Sequence, residues 1–206
     1  MDKKLVWVAA GLLVAMLAGL YTYTVLNAPE DEQFAQCRQG AVAGGDIGGP
    51  FELVSGTGET VTDADVITEP SLIYFGYTYC PDVCPLDVYR NAEAVDALEQ
   101  KGVAATPVFI SIDPERDTPD VVAEFADIMH PKMIGLTGSP EQVKAASQAY
   151  RTFYRRHAGE GDDYLVDHST FTYLVLPEHG FVDFFRRDAL PDQMAETVAC
   201  YANAAS

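Results

Sequence analysis

Apolar and polar residues along the chain fall into blocks with different rhythms, and each rhythm predicts an element. Leu5 to Leu26 carries no charge. As a helix rising 1.5 Å per residue it would reach roughly 33 Å, enough for a bilayer core. After a glycine-rich stretch, Phe51–Val54 and Thr60–Thr62 flank a glycine-containing turn and predict a small hairpin. Leu72–Phe75 and Val108–Ile112 are short unbroken apolar runs, the pattern of buried strands. Between them Leu86, Ala94, Val95 and Leu98 recur at helical spacing behind Pro85, and the helix should end at Lys101-Gly102. Thr118-Pro119 and Ser139-Pro140 open two further helices, running to about Met129 and Tyr150, with a short strand at Met133–Leu136 between them. Phe171–Leu176, a turn at Pro177–Gly180 and Phe181–Phe185 predict an antiparallel pair, and Pro191–Tyr201 a last helix. Strands alternating with helices, then a hairpin and a terminal helix, predict an α/β domain with a mixed sheet.

Charge and flanking residues sharpen the reading of the N-terminus. Lys3 and Lys4 precede the uncharged run, Trp7 lies near one end, and Tyr21 and Tyr23 lie near the other. This is the layout of a membrane anchor with its basic end in the cytoplasm. A cleaved signal peptide would have an apolar core of only ~7–15 residues and a small-x-small cleavage site. Leu26-Asn27-Ala28 matches such a site poorly, and no Arg-rich transit segment precedes the run. The expected organisation is a cytoplasmic tip (1–4), an anchor (5–26), a linker (27–49) and a folded domain (50–206). The expected place is a bacterial inner membrane with the domain in the periplasm. The formal net charge is −18. The first 26 residues contribute +1 through Asp2, Lys3 and Lys4, so the remainder carries −19. Such a surface repels phosphate backbones and excludes a nucleic-acid partner.

The four cysteines carry the candidate chemistry. Cys80 and Cys84 stand in Thr78-Tyr79-Cys80-Pro81-Asp82-Val83-Cys84-Pro85, directly after an apolar strand. A helix N-terminus offers free N–H groups and a positive dipole end, both of which acidify a thiol. Thiolates so placed serve either disulfide exchange or soft-metal binding. If the helix encloses both cysteines, a spacing of four stacks them on one face. If Cys80 lies before the helix, Pro81–Val83 must arch over the site. Cys37 and Cys200 are left over. They either form a structural staple or remain two unpaired thiols. A staple would close a loop of more than 160 residues, worth about 5 kcal/mol in the chain-entropy model.

The element order is similar to the thioredoxin fold, which places the loop entering the Phe171–Leu176 strand beside the cysteine helix. Thiol oxidoreductases of that fold carry a cis-proline in this loop. This chain has no proline between Pro140 and Pro177, and His168 stands there instead. Two thiolates and an imidazole make an S₂N set suited to Cu(I), with zinc as competitor but wanting a fourth ligand. The other histidines, His130, His157 and His179, read as structural.

Three separated motifs then resemble the Sco/SenC family: FGYTYCPDVCP (75–85), ISIDPERDTP (110–119) and YLVDHSTFTYLV (164–175). The N-terminal anchor and the FELVSGTGETVTDAD hairpin (51–65) add to the resemblance. It implies a membrane-anchored copper protein with a thioredoxin-like fold, holding Cu(I), with Cu(II) left open, through Cys80, Cys84 and His168. It also implies copper delivery from a periplasmic donor to the CuA-bearing subunit of cytochrome c oxidase, a binding function without catalysis. Asp113, which shares the second motif with Arg116 and Asp117, is expected either to support the site or a partner, or to serve as a turn residue alone. Tyr77 and Tyr79 are expected to shield the sulfurs or simply to pack. A thiol-disulfide oxidoreductase using the same cysteines is the alternative, with His168 as discriminator, and a redox or copper sensor is a third. A peroxidase would need a single activated cysteine with a threonine and an arginine around it, a set not assignable here.

Overall fold

The computed structural model describes residues 3–26, 33–38, 47–158 and 163–205. Two compact units divide the chain, Met1–Cys37 and Arg38–Ser206. In the first, α1 (Lys3–Leu26) covers the uncharged run. Its described side chains, Trp7 and residues 11–23, are exposed. The Thr22 hydroxyl donates within the helix to the carbonyls of Ala18 and Gly19. Among the described residues no helix is long and apolar enough to cross a membrane. Met1 and Asp2 of the expected tip, and 27–32 and 39–46 of the expected linker, lie outside the described residues.

The second unit is a seven-stranded mixed sheet with helices packed on it. Its elements are β1 (Glu52–Ser55), β2 (Thr60–Thr62), α2 (Asp63–Val66), β3 (Ser71–Gly76), α3 (Val83–Gln100), β4 (Thr106–Ser111), α4 (Pro119–Met129) and β5 (Ile134–Thr137). Then follow α5 (Pro140–Ala149), β6 (Tyr154–Arg156), β7 (Val166–His168), β8 (Thr172–Leu176), β9 (Gly180–Phe185) and α6 (Pro191–Ala205). The strand order is β2-β1-β5-β4-β3-β8-β9. The centre, β5-β4-β3, is parallel and joined by helices, while β8 adds antiparallel to β3. Every residue of β3, β4 and β8 is buried. That is why these strands read as continuous apolar runs rather than as alternation: both faces of a central sheet are covered.

The helix starts follow local chemistry. Ser139 accepts from the Gln142 N–H and the Gln142 side chain accepts from the Ser139 N–H, a reciprocal cap with Pro140 at the first position. Thr118 and Pro119 open α4. At α3 the position before the helix is Asp82, whose side chain makes no capping bond, so the first turn keeps N–H groups for another acceptor. The structure adds elements that the pattern did not predict. These are the one-turn α2 and the ribbon β6–β7, whereas α3 begins at Val83 and holds Pro85 in its first turn, as expected. The ribbon pairs Tyr154 with His168 and shares no strand with the main sheet.

Candidate metal centre

Cys80 lies in the loop between β3 and α3, and Cys84 is the second residue of the helix. The loop therefore arches, and the uncapped helix end closes on the first sulfur. The Cys84 N–H donates to Cys80 Sγ across 3.3 Å. A hydrogen bond from the Cys84 side chain, opposed by burial and helped by the N–H groups of Cys84, Asp82 and Val83, brings the Cys80 thiol from the ordinary 9.0 down to about 4. Cys84 is fully buried. Its hydrogen bond to Cys80, together with burial, holds its own proton on and pushes its pKa up. Both are free thiols, and the pair thus combines one sulfur ready as thiolate with one that releases a proton only to a strong competitor. Cys37 and Cys200 are both in disulfide form.

Space for the second sulfur depends on Gly76. A Cβ at that position would sit 3.0 Å from Cys84 Sγ and 2.8 Å from the Tyr74 ring. A residue with a side chain there would displace one or the other.

His168 arrives from the opposite side, at the end of β7. Its Nδ1 lies 2.8 Å from the Ser169 carbonyl oxygen. A carbonyl only accepts, so Nδ1 carries the proton and Nε2 keeps its lone pair. Nε2 lies 3.3 Å from Cys84 Sγ. Tyr74 and Tyr77 present ring edges or faces to the imidazole at 6.1 Å and 5.8 Å, both nearly perpendicular. The ligand atoms of Cys80, Cys84 and His168 all lie within 4.8 Å of one another, and among the described residues this is the group able to hold an ion. A cavity of about 290 Å³ opens over Cys80 and His168, with Tyr77, Pro81 and Leu165 in its wall.

The remaining sequence candidates fall around this centre. Tyr77 is buried, whereas Tyr79 is 58 % exposed and points away from a shielding role. Asp113 is buried and does not reach the sulfurs. Its carboxylate accepts from Arg116 Nε at 2.5 Å and from the Tyr164 hydroxyl at 2.6 Å. His130 is buried between Asp96 and the Lys132 N–H, His157 pairs with Asp167 at 2.7 Å, and His179 lies in the β8–β9 turn.

Two further side chains brace the loop and the helix: Asp117, which stands with Asp113 and Arg116 in the second motif, and Asp87, which belongs to no motif. Asp117, buried, accepts from the Thr78 N–H and hydroxyl and from the Ser111 hydroxyl, and so ties the loop before Cys80 to the end of β4. Beneath Cys84, the Tyr74 hydroxyl donates to Asp87, which Arg187 also holds. Burial raises the Tyr74 pKa, so that hydroxyl remains a donor. Asp117 was visible in the sequence as part of the second motif, with the same two readings as Asp113, a turn residue or a support beside the site. Asp87 looked like an ordinary polar helix position.

Comparison with known proteins agrees with this geometry. The family model SCO1/SenC matches residues 39–203. Protein SenC of Rhodobacter capsulatus is 54 % identical over 205 residues, covering 98 % of this chain and 92 % of that protein. The structure of Arabidopsis thaliana ScoI with copper bound is 43 % identical with a TM-score of 0.72, covering 76 % of this chain and 99 % of that one. Bradyrhizobium japonicum ScoI with copper bound is 35 % identical with a TM-score of 0.68, covering 75 % and 99 %. With the motifs, the thioredoxin-like mixed sheet and a model match over most of its length, the chain belongs to the SCO1/SenC family.

Proposed function

We propose that the protein is a copper metallochaperone that holds Cu(I) through Cys80 Sγ, Cys84 Sγ and His168 Nε2, and passes it to the CuA-bearing subunit of cytochrome c oxidase. The observation that carries this is the convergence of those three ligand atoms within 4.8 Å, with Nε2 left unprotonated. Soft sulfur with one imidazole favours Cu(I), whereas structural zinc wants a fourth ligand. Two solved relatives are described with copper bound. Three ligands leave Cu(I) room for an incoming thiolate, so one bond can form before another breaks and no free ion is released. The test is a transfer assay. Copper-loaded protein is mixed with a soluble apo CuA domain beside a chelator that traps free Cu(I). Transfer that outruns the trap, and that is lost in His168→Ala, is the expected result. Copper appearing in the chelator first contradicts delivery.

The free, acidified Cys80 also favours a second reading, a dithiol reductant. Cys80 would attack a partner disulfide, Cys84 would resolve the mixed disulfide, and two electrons would pass to the partner as Cys80–Cys84 forms. His168 separates the two, because disulfide exchange does not require it. We further propose that Leu5–Leu26 anchors the chain in a bacterial inner membrane, with the domain in the periplasm receiving copper from a donor there. The uncharged run behind Lys3 and Lys4 supports this. Cys37 joined to Cys200 is proposed as the staple.

A further inference from the structure

We propose that Arg116 and Tyr164 form a latch that holds the His168 ribbon against the cysteine loop and so sets how tightly the site keeps its ion. This rests on the copper reading above. The three ligands come from two separate bodies. Cys80 and Cys84 are fixed by β3 and α3, within the main sheet and its helices. His168 ends β7, and the β6–β7 ribbon has no strand pairing to that sheet. The ladder of the main sheet resumes only at Thr172, with residues 169–171 between it and His168, so side-chain contacts are left to help set how far the imidazole stands from the sulfurs.

Arg116 is placed to do so, because it touches both bodies. Its Nη1 donates to the Tyr164 carbonyl at 3.0 Å, and its guanidinium lies 3.6 Å from the centre of the Tyr164 ring. The same guanidinium stands 4.8 Å from the Tyr79 ring and 5.6 Å from the Tyr77 ring, both in the loop leading to Cys80. Asp113 fixes the pair: it accepts Arg116 Nε on one oxygen and the Tyr164 hydroxyl on the other. Tyr164 is two residues from the start of β7, so its position is passed directly to His168. A further link between ribbon and loop, from the Val166 N–H to the Tyr77 hydroxyl, is long at 3.4 Å. These are positioning residues, since neither reaches the ion site. Arg116 supplies a planar fork and a stacking face at once, which lysine does not.

The test is a coupled variant series on the full chain, reduced and without oxygen. Cu(I) affinity is measured against a chelator, and the copper ligands are read by X-ray absorption. Arg116→Leu is expected to weaken binding by about 10–100-fold, the usual effect of losing a group that orients a ligand. The spectrum is expected to change from two sulfurs and one nitrogen to two sulfurs alone. Tyr164→Phe, which removes one hydroxyl and keeps the ring, is expected to weaken binding in the same direction by less, and it decides the matter if Arg116→Leu does not fold. In a His168→Ala background both substitutions should have no further effect. Equal losses with and without His168, or unchanged affinity with the nitrogen still bound, would overturn the latch. A wild type whose affinity ignores His168 would overturn the copper reading and the latch together.

Discussion

At Cys80 the local backbone decides the chemistry. Three N–H groups of an uncapped helix end and the side chain of Cys84 act on one sulfur. The folded pKa lies below the unfolded one. The stability this group adds is therefore complete above about pH 9 and is lost as pH falls through about 4. The same shift predicts reactivity. Carboxamidomethylation of Cys80 in the reduced, metal-free protein should proceed at nearly constant rate from pH 6 to 8. A thiol of pKa about 8.5 would speed up about 80-fold over that range. A rate that climbs in that way would mean Cys80 is an ordinary thiol. Gly76 makes a second residue-scale claim. Gly76→Ala places a methyl 3.0 Å from Cys84 Sγ. It should lower Cu(I) affinity and destabilise the fold by about 1–3 kcal/mol through overpacking, to be read by titration and urea unfolding.

Elements bring residues together that lie far apart in sequence, and Asp117 shows what that is worth. It ties the loop before α3 to the end of β4 by three donors. Asp117→Ala leaves those donors buried or nearly so, at about 1–3 kcal/mol each where water does not replace the carboxylate. Chemical unfolding should show a clear loss, and the oxygen-free titration a weaker site. Unchanged stability and affinity would show that the loop holds without it. Strands β3, β4 and β8 were legible because burial on both faces writes itself as an apolar run, and α4 and α5 because Thr118-Pro119 and Ser139-Pro140 are local signals. The clustering of Cys80, Cys84 and His168 was legible because the cysteine pair follows a buried strand and a histidine stands in the loop where the fold would carry a proline. Ribbon β6–β7 was not. Tyr154-Arg155-Arg156 has a charged, half-exposed pattern with no strand signature, and its pairing with Val166–His168 is a tertiary event. Asp113, Arg116 and Tyr164 were separately visible, but nothing local says that they meet.

Across the whole molecule, a buried sheet, a cysteine loop and a histidine ribbon meet in one small site on an acidic chain. The proposed Cys37–Cys200 staple belongs to this scale. Peptide mapping without reductant should recover one peptide containing both residues. Cys200→Ser should lower stability by up to about 5 kcal/mol, the chain-entropy ceiling for so long a loop. Recovery of each cysteine in a separate peptide would remove the staple. The central claim is the three-ligand copper site, and competitive Cu(I) titration of the full chain without oxygen tests it most directly. Wild type, Cys80→Ser, Cys84→Ser and His168→Ala would be compared. One tight equivalent is expected in wild type, with weaker binding in each of the three variants. Tight binding that is unaffected by His168→Ala would contradict it and put the dithiol reductant first.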